Sequence, residues 1–194
     1  MHARVQCKAM KPERDGIVDD LVKFALIALL IVLPIRVFVA QPFIVRGASM
    51  EPTFQGGEYL IVDQISYRVG EPNRGDVIIL RYPRDPSVFF IKRIIGLPRE
   101  TVEIVGAQVI VQTNNNETIT LDESYVEKDR AQNEYGIYTL SENEYFVMGD
   151  NRRESSDSRT WGVLERDEIV GRAYLRLLPP SRLNVLPGAH TFVN

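Results

Sequence analysis

Three short segments hold the residues of this chain that can do chemistry. The first is Gly47-Ala-Ser-Met-Glu-Pro-Thr53, where Ser49 offers a hydroxyl behind two small residues that leave room for another backbone to approach. The second is Val88-Phe-Phe-Ile-Lys-Arg-Ile-Ile-Gly-Leu-Pro98, which sets Lys92 and Arg93 in an apolar run. The third is Met148-Gly-Asp-Asn-Arg-Arg-Glu-Ser-Ser-Asp-Ser-Arg-Thr-Trp-Gly162, dense in hydroxyls and in opposite charges. A serine hydroxyl is a weak nucleophile until a base takes its proton, and a lysine amine is a competent base once it is neutral. Burial among apolar side chains disfavours the ammonium. A fall from ~10.4 to ~8 corresponds to about 3 kcal/mol between the protonation states, and Ser-Lys pairing is an established variant of the triad logic.

Each segment also has a plainer reading. Gly, Ser, Pro and Thr are turn formers, and Pro52 biases Glu51 towards extended backbone. Strand alternation puts Lys92 on the face of Phe90 and Ile94, and Arg93 on that of Phe89, Ile91 and Ile95. Both cations could simply snorkel past an edge. The third segment reads equally as a solvated loop of ion pairs, each worth little. Phe43, Val45 and Phe54 flank Ser49 and could line apolar pockets.

Composition narrows the field. The 194 residues include a single cysteine, Cys7, and two histidines, His2 and His190, at the chain ends. That argues against an internal disulfide, a metal-ligand cluster or a Ser-His-Asp triad. With 23 Lys+Arg against 26 Asp+Glu the net charge is −3, which argues against nucleic-acid binding.

The elements that must position these groups read as strands. Short β-branched and aromatic runs cover 59–62, 76–82, 88–95, 101–105, 108–112, 144–148 and 169–178, with Gly106-Ala107 as a hairpin turn and Asn114-Asn-Asn116 as a loop. Ahead of them, Leu21 to Ala40 is an apolar run of about 20 residues, long enough as a helix to span ~30 Å. Lys23 and Arg36 near its ends could snorkel, and Pro34 is tolerable in a membrane. A signal-peptide cut after Ala40 would have Phe38 at the third position back and Pro42 two beyond, a poor site, so the run reads as an uncleaved anchor. Arg4, Lys8, Lys11, Arg14 and Lys23 precede or enter it, which places the N-terminus in the cytoplasm and the rest on the extracytoplasmic side. The expected layout is a cytoplasmic tail (1–20), a single transmembrane helix (21–40), a mainly β domain (43–187) and a C-terminal tail (188–194).

Four blocks in this order, Ser49-Met-Glu-Pro-Thr53, Arg74-Gly-Asp-Val77, Lys92-Arg-Ile-Ile-Gly-Leu-Pro98 and Gly149-Asp-Asn-Arg152 with Ser155-Ser-Asp-Ser-Arg159, resemble type I signal peptidase, the membrane-bound bacterial leader peptidase. The resemblance implies that 43–187 is a compact β-sheet or barrel-like catalytic domain, that of a serine endopeptidase that removes signal peptides from exported preproteins after small residues, typically Ala-x-Ala, at the lipid bilayer and without a cofactor. Matching positions make Ser49 the nucleophile and Lys92 its general base. Ser155 becomes the hydroxyl that hydrogen-bonds the lysine, and Asp157 and Arg159 a structural charge pair. Phe43, Val45, Phe54 and Ile91 match substrate-pocket positions, and the backbone N–H of Ser49 matches an oxyanion donor. Some members add a serine hydroxyl two residues before the nucleophile, where this chain has Gly47. Pro98-Arg-Glu100 stands where the family usually has Pro-Gly-Asp, which asks Arg99 to take a turn conformation that glycine takes more easily. Two rivals remain open: a self-cleaving repressor, which needs a DNA-binding domain ahead of the protease, and an anchored β module that binds exported peptides without cutting them.

Overall fold

The computed structural model describes residues 14–34, 40–129 and 133–192. They fall in two units, the first ending at Val37 and the second beginning at Phe38. In the first, α1 runs Arg14–Pro34. It carries Asp19, Asp20 and Lys23, with Lys23 Nζ 3.7 Å from Asp20 Oδ1. Only Phe24 to Pro34 is free of charge, about 16 Å of helix against a bilayer core of ~30 Å. Among the described residues no helix is long and apolar enough to cross a membrane. The expected span over 21–40 is therefore corrected at both ends. The helix begins earlier and takes in the acidic pair, and Ala40 already belongs to a strand. Residues 1–13 and 35–39 lie outside the described residues. Leu21, Phe24 and Leu30 of α1 are exposed apolar side chains.

The second unit is mainly β, as the alternation of β-branched residues requires. Its larger sheet contains β1 (Ala40–Ile44), β2 (Tyr59–Asp63), β3 (Val77–Tyr82), β4 (Asp85–Gly96), β9 (Glu144–Met148), β10 (Leu164–Glu165), β11 (Ile169–Leu178) and β12 (Asn184–Val185). The order is β1-β2-β11-β3-β4-β9-β10, with β12 beside β11, and every pair is antiparallel. A smaller antiparallel sheet joins β5 (Thr101–Gly106), β6 (Gln108–Gln112), β7 (Thr118–Thr120) and β8 (Glu134–Thr139) in the order β7-β6-β5-β8. Val105 pairs with Gln108 across the turn, where Gly106 takes φ +67°.

Both faces of the larger sheet are covered. Val77, Ile79 and Ile91 enter a core with Met50, Phe54 and Leu60, whereas Ile78, Leu80 and Ile94 enter another with Tyr145, Val147 and Leu164. A third core under the smaller sheet gathers Ile95, Val102, Val111, Phe146 and Met148. Burial on two sides explains why these strands are near-continuous apolar runs. Residues 188–192, expected as a tail, instead pack on the domain. Phe192 joins the third core, and His190 Nε2 lies 2.8 Å from the Asp122 carbonyl. Arg99 does take φ +66°, the conformation flagged by its place in the turn.

Candidate active site

Antiparallel pairing of β3 with β4 sets Lys92 opposite Ile78 and Arg93 opposite Val77, so consecutive cations enter opposite faces of a covered sheet. Lys92 is only 2% exposed and Arg93 1%. Lys92 Nζ donates to Ser49 Oγ at 2.9 Å and to the Ile91 carbonyl at 2.9 Å, and sits 5.0 Å from the centre of the Phe90 ring. Burial pushes the amine down to about 8, although the Asp157 and Asp150 carboxylates pull the other way. The geometry is that of a hydroxyl hydrogen-bonded to an amine close to neutrality.

The loop after β9 holds the serine from its backbone side. Asn151 N–H donates to the Ser49 carbonyl at 3.0 Å, and Asn151 Nδ2 to the Ala48 carbonyl at 3.2 Å. This contact needs Gly149, since a Cβ there would stand 2.4 Å from the Ser49 carbonyl oxygen and 2.2 Å from Ser155 Oγ. Asp157 fixes Gly149 in turn by accepting its N–H at 3.0 Å. The same carboxylate takes two bonds from Arg159, Nε to Oδ1 and Nη2 to Oδ2, each 2.8 Å. Burial raises the Asp157 carboxyl, but the Arg159 guanidinium and the Gly149 N–H outweigh it and hold it below the ordinary carboxylate value.

A second buried pair lies on the other face of β4. Arg93 binds Asp150 twice, Nε to Oδ1 at 2.9 Å and Nη2 to Oδ2 at 2.7 Å, and Asp150 Oδ2 also accepts Thr53 Oγ1 at 2.5 Å. Arg176 donates to the Thr53 carbonyl at 3.0 Å, and Arg182 Nη2 to the Pro52 and Thr53 carbonyls at 3.3 Å, while Glu58 accepts from Arg176 and pairs with Arg182. The segment from Ala48 to Thr53 is thus tied at four carbonyls and two hydroxyls, those of Ser49 and Thr53.

A cavity of about 300 Å³ opens beside Ser49 and Lys92. Its walls are Phe43, Val45, Leu60, Ile79 and Ile91, with Phe89 and Phe90 alongside and Arg46, Glu154 and Ser156 among its polar residues. Phe43, Val45 and Ile91, which the resemblance matches to substrate-pocket positions, all line this cavity. Phe54 does not line it. That ring is fully buried in the core with Met50 and Leu60, 5.1 Å from the Arg176 guanidinium. Ser155 also departs from expectation, because its buried Oγ completes no hydrogen bond and Lys92 is bound by Ser49 and Ile91 instead. Sequence reasoning missed Asn151 and the Arg93–Asp150–Thr53 chain, whose only signal was the strand alternation that turned Arg93 away from Lys92. Among the described residues no group of acidic, histidine or cysteine side chains could hold a metal.

The model of the family described as signal peptidase, peptidase S26, matches residues 18–178. The chain belongs to the signal peptidase family. It is similar to a probable signal peptidase I-2 of Synechocystis sp., 37% identical over 185 residues that cover 92% of this chain and 81% of that one. It is also similar to signal peptidase I of Leptolyngbya laminosa, 35% identical over 188 residues, 93% of this chain and 90% of that one. A crystal structure of a signal peptidase I from Enterococcus faecalis V583 is 30% identical and covers 53% of this chain and 97% of its own, with a TM-score of 0.45, a level at which the overlay adds nothing to the assignment. As a member of this family the chain is an enzyme, a serine peptidase.

Proposed function

We propose that this signal peptidase family member removes N-terminal signal peptides from exported preproteins, with Ser49 as nucleophile and Lys92 as general base. The observation that carries the reading is the 2.9 Å contact between Ser49 Oγ and a lysine amine that burial has pushed down to about 8. Ser49 Oγ attacks the scissile carbonyl carbon while its proton passes to Lys92 Nζ. The tetrahedral oxyanion forms beside the Ser49 N–H, and such a donor is typically worth about 3–4 kcal/mol. Collapse breaks the C–N bond, and the lysine ammonium returns its proton to the leaving amine. Water then enters, Lys92 takes its proton, and hydrolysis of the acyl-serine releases the signal peptide and frees Ser49.

Small residues at the first and third positions before the bond suit a cleft walled by Phe43, Val45 and Ile91, where larger side chains would clash. The Asp157–Arg159 pair and Asn151 act on the geometry and not on the bond. Attachment to a lipid bilayer, with the N-terminus cytoplasmic and the catalytic domain outside, is supported by the apolar run in the sequence and by the exposed Leu21, Phe24 and Leu30 of α1. Shared attachment would confine enzyme and signal peptide to one surface and raise their effective concentration.

The test is cleavage of a purified preprotein with an Ala-x-Ala site by the full chain in detergent micelles, with the new N-terminus sequenced. A single new N-terminus at the signal junction, absent with Ser49→Ala, is the expected outcome. Intact preprotein with a folded wild-type chain that still binds it would turn the reading to a peptide-binding module. Flotation of the full chain with vesicles tests attachment, and loss of flotation on deleting residues 1–34 is expected.

A further inference from the structure

The segment after β12 touches the nucleophile loop and β4 at once. Gly188 offers its carbonyl to Arg93 Nη1 at 2.6 Å, and the same nitrogen reaches the Gly75 carbonyl at 2.9 Å. Gly188 takes φ +74°, and a Cβ added there would stand 2.6 Å from Thr53 Cγ2 and 3.1 Å from the Phe54 ring. The segment is fixed beyond that point too. A Cβ on Gly75 would meet the His190 carbonyl oxygen at 2.1 Å, and the His190 and Phe192 rings lie edge-on to Tyr125 at 5.0 and 6.3 Å between centroids. The Arg93 guanidinium carbon in turn lies over the Tyr125 ring, 4.0 Å from its centre.

We propose that residues 186–192 form a clasp that positions the nucleophile loop against β4, acting from Gly188 through Arg93 and Asp150 to Thr53. The proposal rests on the Ser49–Lys92 reading. Arg93 follows Lys92 directly in β4, and Thr53 lies four residues beyond Ser49. The clasp thus reaches both partners through their chain neighbours, and none of Gly188, Arg93, Asp150 and Thr53 is among the residues that line the cavity. Its residues are positioning groups, since none touches the reacting atoms.

Gly188→Ala tests it in the full chain, assayed by steady-state cleavage of an Ala-x-Ala preprotein and by thermal unfolding. The added methyl pushes on Thr53 Cγ2, so kcat should fall about 10-fold with KM within about 2-fold, as expected for a displaced reactive group. Thr53→Ser removes that very methyl and keeps the hydroxyl on Asp150. The double variant Gly188→Ala/Thr53→Ser should recover kcat to within about 3-fold of wild type. Should Gly188→Ala fail to fold, Phe192→Ala serves: it loosens the segment from the third core and from Tyr125, and should lower kcat with KM within about 2-fold. A folded Gly188→Ala with wild-type kcat would overturn the clasp, as would a folded double variant whose kcat stays as low as that of Gly188→Ala. An inactive wild type would sink the peptidase reading itself, whereas an active wild type with these results sinks the clasp alone.

Discussion

Replacing Lys92 by methionine should stabilise the fold near neutral pH and abolish cleavage. The amine is 2% exposed and pushed down to about 8, from an ordinary value of 10.5. At 1.36 kcal/mol per unit, that difference is about 3 kcal/mol of folding free energy spent on burying an ammonium. The sign follows from the two values. Below pH 8 both states hold the proton and the whole penalty applies. Between pH 8 and 10.5 the unfolded chain alone holds it, so stability rises with pH, and above 10.5 the penalty is gone. Methionine keeps the length and removes the charge, but leaves Ser49 Oγ and the Ile91 carbonyl without their partner, at a cost of about 1 kcal/mol each. The net gain at pH 7 is about 1–2 kcal/mol, and at pH 10.5 it should reverse to a net loss. Urea denaturation of the two full-length proteins in detergent at both pH values reads this directly, since every other titrating group is common to both. Parallel stability profiles from pH 7 to 10.5 would refute the premise of a desolvated lysine.

Other outcomes follow from neighbouring contacts. Lys92→Arg should be as inactive as Lys92→Ala at every pH, because a guanidinium stays protonated and cannot act as a base; a steady-state assay up to pH 10 checks this. Asp150→Ala strands the Arg93 guanidinium, 1% exposed, and should cost about 3–5 kcal/mol in urea denaturation. Arg99→Gly should raise stability by about 1 kcal/mol by relieving φ +66°, since the ion pair it gives up with Glu142 is exposed and worth little. Ser155→Ala removes a buried hydroxyl that completes no hydrogen bond, so urea denaturation should show a change within about 0.5 kcal/mol.

How much of this was legible in the sequence depended on range. Strands such as β3, β4 and β11 announced themselves because their residues alternate between two apolar environments within one short run. β8 did not, since its outward positions are the apolar Tyr135 and Ile137 while Glu134 and Gly136 turn inward. β1 was hidden because Ala40 to Ile44 continues an apolar run that read as membrane anchor. Ser49 and Lys92 could be named by residue type and block order, but the distance between them is set by pairing across 43 positions of chain, which no local pattern records. Arg93 and Asp150 are 57 positions apart, and their pairing was equally invisible. The C-terminal contacts left no signal at all, because Gly188 acts through a backbone carbonyl and through the absence of a side chain.

The most direct test of the Ser49–Lys92 pair is the pH dependence of single-turnover cleavage of an Ala-x-Ala preprotein, from pH 6 to 10, by wild type, Ser49→Ala and Lys92→Ala. If the buried amine is the base, the wild-type rate rises tenfold per unit and levels near pH 8, and both variants are inert throughout. A rising limb that persists in Lys92→Ala, or a wild-type rate that is flat across pH 8, would contradict it.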